Sequence, residues 1–301
     1  MKRILLVTFT SNRADRSKTL RMFTDGLNKA GNNFDYALIQ QIVFKVQKGK
    51  LHIMYKDREL HEAYDVIHLR NHDKYSDYAN TIRLYCDAHD ITLVNRTDSY
   101  LPYFGKLSQG ALLALNGVPT PDLLTAYGNH ELLQELTKRK WGYPLVIKHN
   151  EGIRGIDNYL VQNAKELQAA LAQEKQAFIA QPFIPNSGEL RVLTFGSALA
   201  PLLFQKTAAD GTYLNNTFQG GVAKLVSADS VAPAMLTHAI QAAELMGRDI
   251  GGVDVLLATD GSYTILEVNS TPAIASGVYL DEKQKLYRQY FTDMEGDDNA
   301  R

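Results

Sequence analysis

The fold of this chain is decided by GGVDVLLATDGSYTILEVNS, residues 251–270. Two runs of β-forming residues flank the Asp-Gly pair at 260–261, a dipeptide typical of a two-residue hairpin turn. Residues equidistant from such a turn face each other across the two strands. This register places Asp254 directly opposite Glu267, so the sequence predicts two carboxylates on one face of a hairpin.

Alternation along the two strands predicts one chemical face and one core face. The same register pairs Leu256 with Ile265 and puts Asn269 beside the two carboxylates. Like charges directly opposite, with Cβ atoms roughly 4.5–5.5 Å apart, are unfavourable unless they share a proton or a cation. The added Asn oxygen favours the cation. The other face is predicted to be core and carries Val253, Val255, Leu257, Leu266 and Val268.

The donor atoms of this hairpin indicate which metal it would bind. Hard oxygen ligands without a nearby histidine or thiol select Mg²⁺ or Mn²⁺ over zinc. Magnesium held by few protein oxygens completes its octahedron with water and substrate phosphates. A nucleoside triphosphate is therefore the expected partner. Taken alone, the hairpin leaves open that it is a surface hairpin with incidental acids.

Composition limits the remaining classes of function. The chain has 301 residues, 45% of them hydrophobic, and a formal net charge of −1. That length suggests two or three domains, and the charge gives no general attraction to nucleic acid or an anionic membrane. A single cysteine, Cys86, excludes internal disulfides. We expect a cytoplasmic protein with no nucleic-acid or membrane partner.

The first third of the sequence alternates strand-like and helical patterns. Such alternation is typical of a doubly wound parallel sheet, which binds ligands beyond the carboxyl ends of its strands. The polar segments expected there are residues 10–13 and 70–72, and QKGK at 47–50 predicts the turn of an inserted hairpin. The predicted strands are 4–8, 34–38, 66–69 and 91–95, and the predicted helices are 19–30 and 75–89.

After residue 96 the pattern becomes an α+β half with a candidate phosphate loop. Lys148 ends an apolar strand and is followed by a glycine-containing loop at 149–157. Glycines let backbone amides approach an anion closely, and a lysine adds a positive charge for phosphate oxygens. The loop matches neither a Walker A sequence nor a dinucleotide fingerprint. A plain hairpin loop with a solvated lysine remains equally open.

The next strands carry candidates for binding the rest of a nucleotide. Backbone groups of Gln181 and Phe183 could read an adenine edge, and Glu189 could accept hydrogen bonds from ribose hydroxyls. Arg191 and Lys206 fall on neighbouring predicted strands, where they could converge on a phosphate. The alternatives are a linker with an ion pair and ordinary solvated charges.

In their order along the chain, these motifs resemble those of ATP-grasp carboxylate-amine ligases. They are most similar to the RimK-type branch, which appends amino acids such as glutamate to carboxylates. The resemblance spans roughly residues 106–272. The motifs that carry it are Lys106 before GVPTP (117–121), VIKHNEGIRGI (146–156), QPFI (181–184), GELRV (188–192), NNTFQGG (215–221), GVDVL (252–256) and LEVNSTP (266–272).

The resemblance implies roles for individual residues of this chain. The residues implied to bind ATP are Lys106, Lys148, Gly152, Arg154, Gly155, Gln181, Phe183 and Glu189. Those implied to stabilise an acyl-phosphate are Arg191, Lys206 and Asn216. Those implied to hold Mg²⁺, or Mn²⁺ in its place, are Asp254, Glu267 and Asn269.

The resemblance also implies a fold, α/β followed by α+β. An N-terminal doubly wound parallel-sheet domain of the pre-ATP-grasp type should precede a two-subdomain ATP-grasp fold. We expect the N-terminal domain at 1–97 and a central subdomain with a glycine-loop lid at 98–183. A C-terminal catalytic subdomain should follow at 184–295, and residues 296–301 are expected to be a disordered tail.

The expected activity is ATP-dependent amide bond formation between a carboxylate and an amine, through an acyl-phosphate. Its partners would be ATP and the two substrates, with homo-oligomerisation left open. Leu214 and Gln219 stand where the family carries basic residues, which leaves the acceptor unidentified. Two alternatives remain, an ATP-grasp kinase acting on a hydroxyl and a non-catalytic nucleotide-binding module.

Overall fold

The computed structural model describes residues 2–9, 14–29, 31, 33–72, 75–96, 105–152, 158–172, 177–208 and 222–297. Its strands are β1 Arg3–Thr8, β2 Asn33–Leu38, β3 Ile42–Gln47, β4 Lys50–Tyr55, β5 Arg58–Glu59, β6 Val66–Arg70, β7 Thr92–Val94, β8 Leu145–His149, β9 Asn158–Val161, β10 Phe178–Pro182, β11 Asn186–Leu193, β12 Leu202–Thr207, β13 Val222–Val226, β14 Gly252–Ala258 and β15 Tyr263–Asn269. Its helices are α1 Ala14–Lys29, α2 Leu60–Ala63, α3 Ser76–Ala88, α4 Lys106–Leu115, α5 His130–Lys140, α6 Ala164–Leu171, α7 Pro233–Leu245 and α8 Leu280–Asp297.

The N-terminal part is the predicted parallel sheet. Its order is β2-β1-β6-β7, and every strand pair in it is parallel. The run Ile4–Thr8 within β1 is buried throughout, as expected for a strand covered on both faces. The inserted hairpin β3–β4 turns at Lys48 and Gly49, which both have positive φ (51° and 73°) and so fit a tight hairpin turn.

The rest of the described chain contains two antiparallel sheets. A three-stranded sheet has the order β10-β8-β9, and a five-stranded sheet has the order β13-β12-β11-β14-β15. Helices α5 and α6 supply the apolar side chains that cover the smaller sheet. Helices α4 and α7 do so for one face of the larger sheet. The opposite face of the larger sheet carries Glu189, Arg191, Lys206 and Asp254.

The hairpin β14–β15 keeps the predicted pairing of Asp254 with Glu267, but by a different route. Its loop is one residue longer than expected, because Ala258 pairs with Ser262 and Leu256 therefore faces Thr264. A bulge at Leu266 restores the register before Glu267 is reached. The prediction that Leu256 faces Ile265 was wrong.

The same bulge changes which side chain of β15 enters the core. Ile265 is fully buried with Val253, Val255 and Val268, whereas Leu266 is only half-buried. The sequence assigned Leu266 to the core because it assumed strict alternation from a two-residue turn. A bulged residue breaks that alternation, since two residues of one strand then oppose one residue of the other.

Buried polar groups join the N-terminal sheet to the C-terminal half. The Asn95 side chain accepts a hydrogen bond from the Ile250 N–H (2.8 Å) and donates to the Ile250 carbonyl (3.1 Å). The same amide nitrogen lies 3.3 Å from Nε2 of His68, whose Nδ1 is 2.8 Å from the Tyr287 hydroxyl. Because the amide can only donate to Nε2, His68 carries its proton on Nδ1 and donates it to Tyr287.

We predict that Asn95→Ala lowers the free energy of unfolding by about 3 kcal/mol. The change leaves the N–H and C=O of Ile250 buried without partners, and each such group costs roughly 1–3 kcal/mol. Urea denaturation measures the loss. Gln168→Ala on an exposed face of α6 is the control and should change stability by no more than about 0.5 kcal/mol. A loss below about 1 kcal/mol for Asn95→Ala would contradict the prediction.

Candidate active site

The polar face of the five-stranded sheet carries a row of charged residues set by strand register. Asp254 of β14 lies opposite Glu267 on one side and opposite Arg191 of β11 on the other. Glu189, two residues before Arg191, lies opposite Lys206 of β12. Four strands therefore bring together five of the predicted site residues.

Asp254 is the centre of this row. Its two carboxylate oxygens accept hydrogen bonds from Nε and Nη2 of Arg191, at 2.6 and 2.7 Å. The Lys206 ammonium donates to the same carboxylate at 2.8 Å and also lies 2.9 Å from Oε2 of Glu189. These buried charges are paired with each other, as buried ions must be. The sequence had left open that they were ordinary solvated charges.

The pKa values follow from this pairing. Burial raises the pKa of Asp254, but the charges of Arg191 and Lys206 outweigh burial and lower it to about 2. Burial, together with the charge of Asp254, raises the pKa of Glu189. Asp254 therefore stays ionised over the whole physiological pH range.

Asn269 lies between the two opposed carboxylates, as predicted. Its Nδ2 is 3.2 Å from Oδ2 of Asp254 and 3.3 Å from Oε1 of Glu267. The two ends of a side-chain amide are interchangeable by rotation, so the same position can present the amide oxygen toward a cation. Within the described residues, no group of three or more His, Cys, Asp or Glu side chains could hold a metal ion by itself.

The two predicted phosphate lysines approach this row from other elements. Lys106 is the first residue of α4, and its ammonium donates to the Gly152 carbonyl at 2.6 Å. Lys148 lies near the end of β8. Burial lowers the pKa of both lysines, and in both cases the charge of Glu267 opposes this effect. The charge of Glu267 therefore acts on the ammonium groups of both lysines.

The predicted adenine contact needs a correction. The Phe183 N–H already donates to the Pro144 carbonyl at 3.1 Å, so this donor is used by the pairing of β10 with β8. Gln181 is buried and faces Val146 in the same pairing. Because backbone groups alternate in direction along a strand, the Pro182 carbonyl lies on the side away from β8, where Ala180 bonds to Leu124.

Some predicted residues fall outside the described ranges. They are Arg154, Gly155 and Asn216, together with Leu214, Gln219 and the N-terminal segment 10–13. The other N-terminal segment does approach the site. Nη2 of Arg70 donates to the Pro272 carbonyl, and the Asn71 N–H donates to the Thr271 hydroxyl, each at 2.8 Å.

Sequence reasoning missed Lys283, on the first turns of α8. Its ammonium donates to the carbonyls of Ala273 (2.8 Å) and Ser276 (3.0 Å), in the loop that follows β15. Burial, reinforced by the charge of Arg191, lowers the pKa of Lys283 to about 8. The available signal was a lysine at a position where the i, i+4 spacing to Tyr287 predicts the buried face of a helix.

Comparison with known proteins identifies the family. The family description "RimK-like ATP-grasp domain" matches residues 105–284, more than half of the chain. The chain belongs to the RimK-like ATP-grasp family. This RimK-like protein is 27% identical over 259 residues to N-acetylaspartylglutamate synthase A of Mus musculus, covering 83% of this chain and 67% of that protein. It is 25% identical over 268 residues to a probable alpha-L-glutamate ligase of Aeromonas salmonicida (strain A449), covering 87% of this chain and 88% of that protein.

Solved structures share the fold of this RimK-like protein. The VanG D-Ala:D-Ser ligase from Enterococcus faecalis superposes with a TM-score of 0.70 at 15% identity, covering 98% of this chain and 99% of that chain. The ATP-grasp ligase PsnB superposes with a TM-score of 0.67 at 15% identity and with the same coverage. That structure is a complex with a phosphomimetic variant of the minimal precursor, Mg and ADP.

The family, the fold class and the enzyme class predicted from the sequence are confirmed. The chain is an ATP-dependent ligase of the type that forms amide bonds, and this class is favoured over the hydroxyl kinase and the non-catalytic module. None of the helices in the described ranges is long and apolar enough to cross a membrane. The domain boundaries and the roles of the site residues stay predictions.

We predict that Asp254→Asn and Glu267→Gln in this RimK-like protein both abolish turnover but differ in stability. Asp254→Asn removes the partner of two buried cations and should cost about 3 kcal/mol or more. Glu267→Gln relieves a like-charge pair and should leave stability within about 1 kcal/mol of the native value. ADP release measures turnover, and thermal unfolding measures stability. Full activity of Glu267→Gln would contradict the metal-site assignment.

Proposed function

We propose that this ligase joins an acidic amino acid, such as glutamate, through its amine to the carboxylate of a small acid or peptide. Several relatives carry glutamate in their names: N-acetylaspartylglutamate synthase A, probable alpha-L-glutamate ligase and beta-citrylglutamate synthase B. The observation that carries the proposal is the buried charge row around Asp254, which places cations and carboxylates on the same face of one sheet.

The nucleotide is proposed to lie between the two antiparallel sheets. Lys106 and Lys148 would neutralise its phosphate oxygens, and Oε1 of Glu189 would accept from the ribose. The adenine edge would be read by the Pro182 carbonyl and the Ile184 N–H, because the Phe183 N–H is already used. The side chains of Gln181 and Phe183 would still line the base.

The donor set fits a magnesium ion. Asp254, Glu267 and Asn269 together offer two carboxylates and an amide oxygen on one face, all hard ligands. Three such groups leave positions for phosphate oxygens and water. When bound, Mg²⁺ neutralises charge on the phosphates and polarises the group being transferred. Oδ1 of Asp254 accepts from both Arg191 and Lys206, so a metal would bind at Oδ2, in place of the hydrogen bond from the Asn269 amide.

The proposed reaction has two steps. A carboxylate oxygen of the acid attacks the γ-phosphorus of ATP, the bond to the β-phosphate oxygen breaks, and ADP leaves. The amine nitrogen then attacks the acyl carbon, inorganic phosphate leaves with the bonding electrons, and the proton lost by the nitrogen is taken up by that phosphate. Arg191 and Lys206 would stabilise the negative charge that develops on the acyl-phosphate. Asn216 is proposed to assist them.

Phosphate release tests this function directly. MgATP and L-glutamate are offered with a panel of acids that includes N-acetylaspartate, citrate and short peptides, and we expect release only with a matched acid and the amine together. Replacing glutamate by hydroxylamine should then trap the acyl-phosphate as a hydroxamate. ADP formation with a stable phosphorylated product, and no dependence on an amine, would instead indicate a kinase.

We predict that Lys148→Met raises the KM for ATP at least about tenfold, since it removes a positive charge from the phosphate site without shortening the side chain. The KM for the acid should change little. Lys165→Met, on an exposed face of α6, is the matched control and should leave both constants unchanged. If Lys148→Met bound ATP as tightly as the native enzyme, Lys148 would have no role at the phosphates.

A further inference from the structure

The first turn of α4 is capped by a residue from a distant part of the chain. Gly105 precedes the helix and has no side chain that could satisfy the free N–H groups of the first turn. Instead, the Lys106 N–H donates to the Asn150 carbonyl (3.0 Å), and the Leu107 N–H donates to Oδ1 of Asn150 (2.8 Å). Asn150 therefore does for α4 what an N-cap residue normally does for its own helix.

The neighbours of Asn150 hold it in this position. Its own N–H donates to the Ala177 carbonyl at 2.7 Å, which anchors it to the start of β10. On the helix side, a Cβ at residue 105 would come within 2.5 Å of the Asn150 amide nitrogen. Glycine at 105 is therefore needed for the close approach of Asn150 to the helix.

Asn150 also sets the position of a side chain implied to bind phosphate. The backbone of Lys106 is bonded to Asn150, and its ammonium is bonded to Gly152, at the start of the glycine loop. Gly152 is in turn held by a hydrogen bond from its N–H to the His149 carbonyl (3.0 Å). Lys106 and the base of the glycine loop are thus one connected unit.

One turn along α4, a second contact reaches the strand that carries Glu267. Oε1 of Gln109 accepts a hydrogen bond from the Val268 N–H at 2.7 Å, and its Nε2 lies 3.5 Å from the Val268 carbonyl. Since β15 is an edge strand, Gln109 pairs with backbone groups that the sheet leaves open. Helix α4 therefore links the glycine loop to the carboxylate strand.

We propose that Asn150 is a positioning residue of the active site. By capping α4, it fixes the Lys106 ammonium relative to the glycine loop and, through Gln109, relative to Glu267. The proposal rests on the role of Lys106 at the nucleotide phosphates in the proposed function.

A double-mutant cycle tests the proposal. Asn150→Ala should lower kcat/KM for ATP about tenfold, since losing the cap displaces Lys106 from the phosphates. Lys106→Met should lower it at least as much, and the double variant should be no worse than Lys106→Met alone, because Asn150 acts through Lys106. The proposal would be overturned if the losses of the two single variants multiplied in the double variant. It would also be overturned if Asn150→Ala kept the native kcat/KM for ATP.

Asn116→Ala is the matched control at the other end of α4. Its side chain binds the Leu112 carbonyl at 2.8 Å and is exposed, so its loss weakens the helix end without touching Lys106. It should leave the ATP constants at their native values. If Asn116→Ala reproduced the kinetic defect of Asn150→Ala, general weakening of α4 would explain both, and the positioning role would be wrong.

Hydrogen exchange separates this proposal from the proposed function. Asn150→Ala should speed amide exchange at residues 106–109 and at Val268, whereas Lys106→Met should not. If Lys106→Met left ATP binding unchanged but Asn150→Ala still loosened Val268, the phosphate role of Lys106 would fail while the link through α4 stood. Unchanged exchange at Val268 in Asn150→Ala would overturn the link itself.

Discussion

The carboxylate of Asp254 is the group on which the rest of the site depends. Burying it would cost several kcal/mol if it were alone, and the guanidinium of Arg191 and the ammonium of Lys206 offset that cost. Glu189 balances the second cation, so the buried Asp254 and Lys206 are each paired with a half-buried residue of opposite charge. The arrangement also limits the backbone, because a Cβ at Gly252 would meet Nη1 of Arg191 at 2.9 Å.

The loop that follows the carboxylate strand connects this charge row to the rest of the fold. Arg70 of the N-terminal sheet holds the Pro272 carbonyl, and Lys283 of the last helix holds Ala273 and Ser276. The loop therefore depends on two elements that are far apart in sequence. The N-terminal sheet thus contacts the loop that directly follows Asn269, although it supplies none of the proposed metal ligands.

The sequence predicted the opposed carboxylates correctly, although the assumed turn was one residue too short. The alternation of apolar residues fixes which face is buried, but it does not reveal a bulge, because Ile265 and Leu266 are both apolar. Ile265 packs in the core, and the bulge at Leu266 restores the pairing of Glu267 with Asp254. A local pattern could not distinguish these two registers.

By itself, the sequence determined the parallel sheet of the N-terminal part, the acidic hairpin, the residue types at the site and the family to which they belong. Its information is local: it lies in alternation, turn dipeptides and short motifs. Only the tertiary structure decided that Arg191 and Lys206 share one carboxylate, that the Phe183 N–H is already used, and that Asn150 caps a helix that begins at Lys106. Each of these contacts joins residues about 40 or more positions apart. Such contacts depend on strand register and helix placement, which the packing of the whole chain sets.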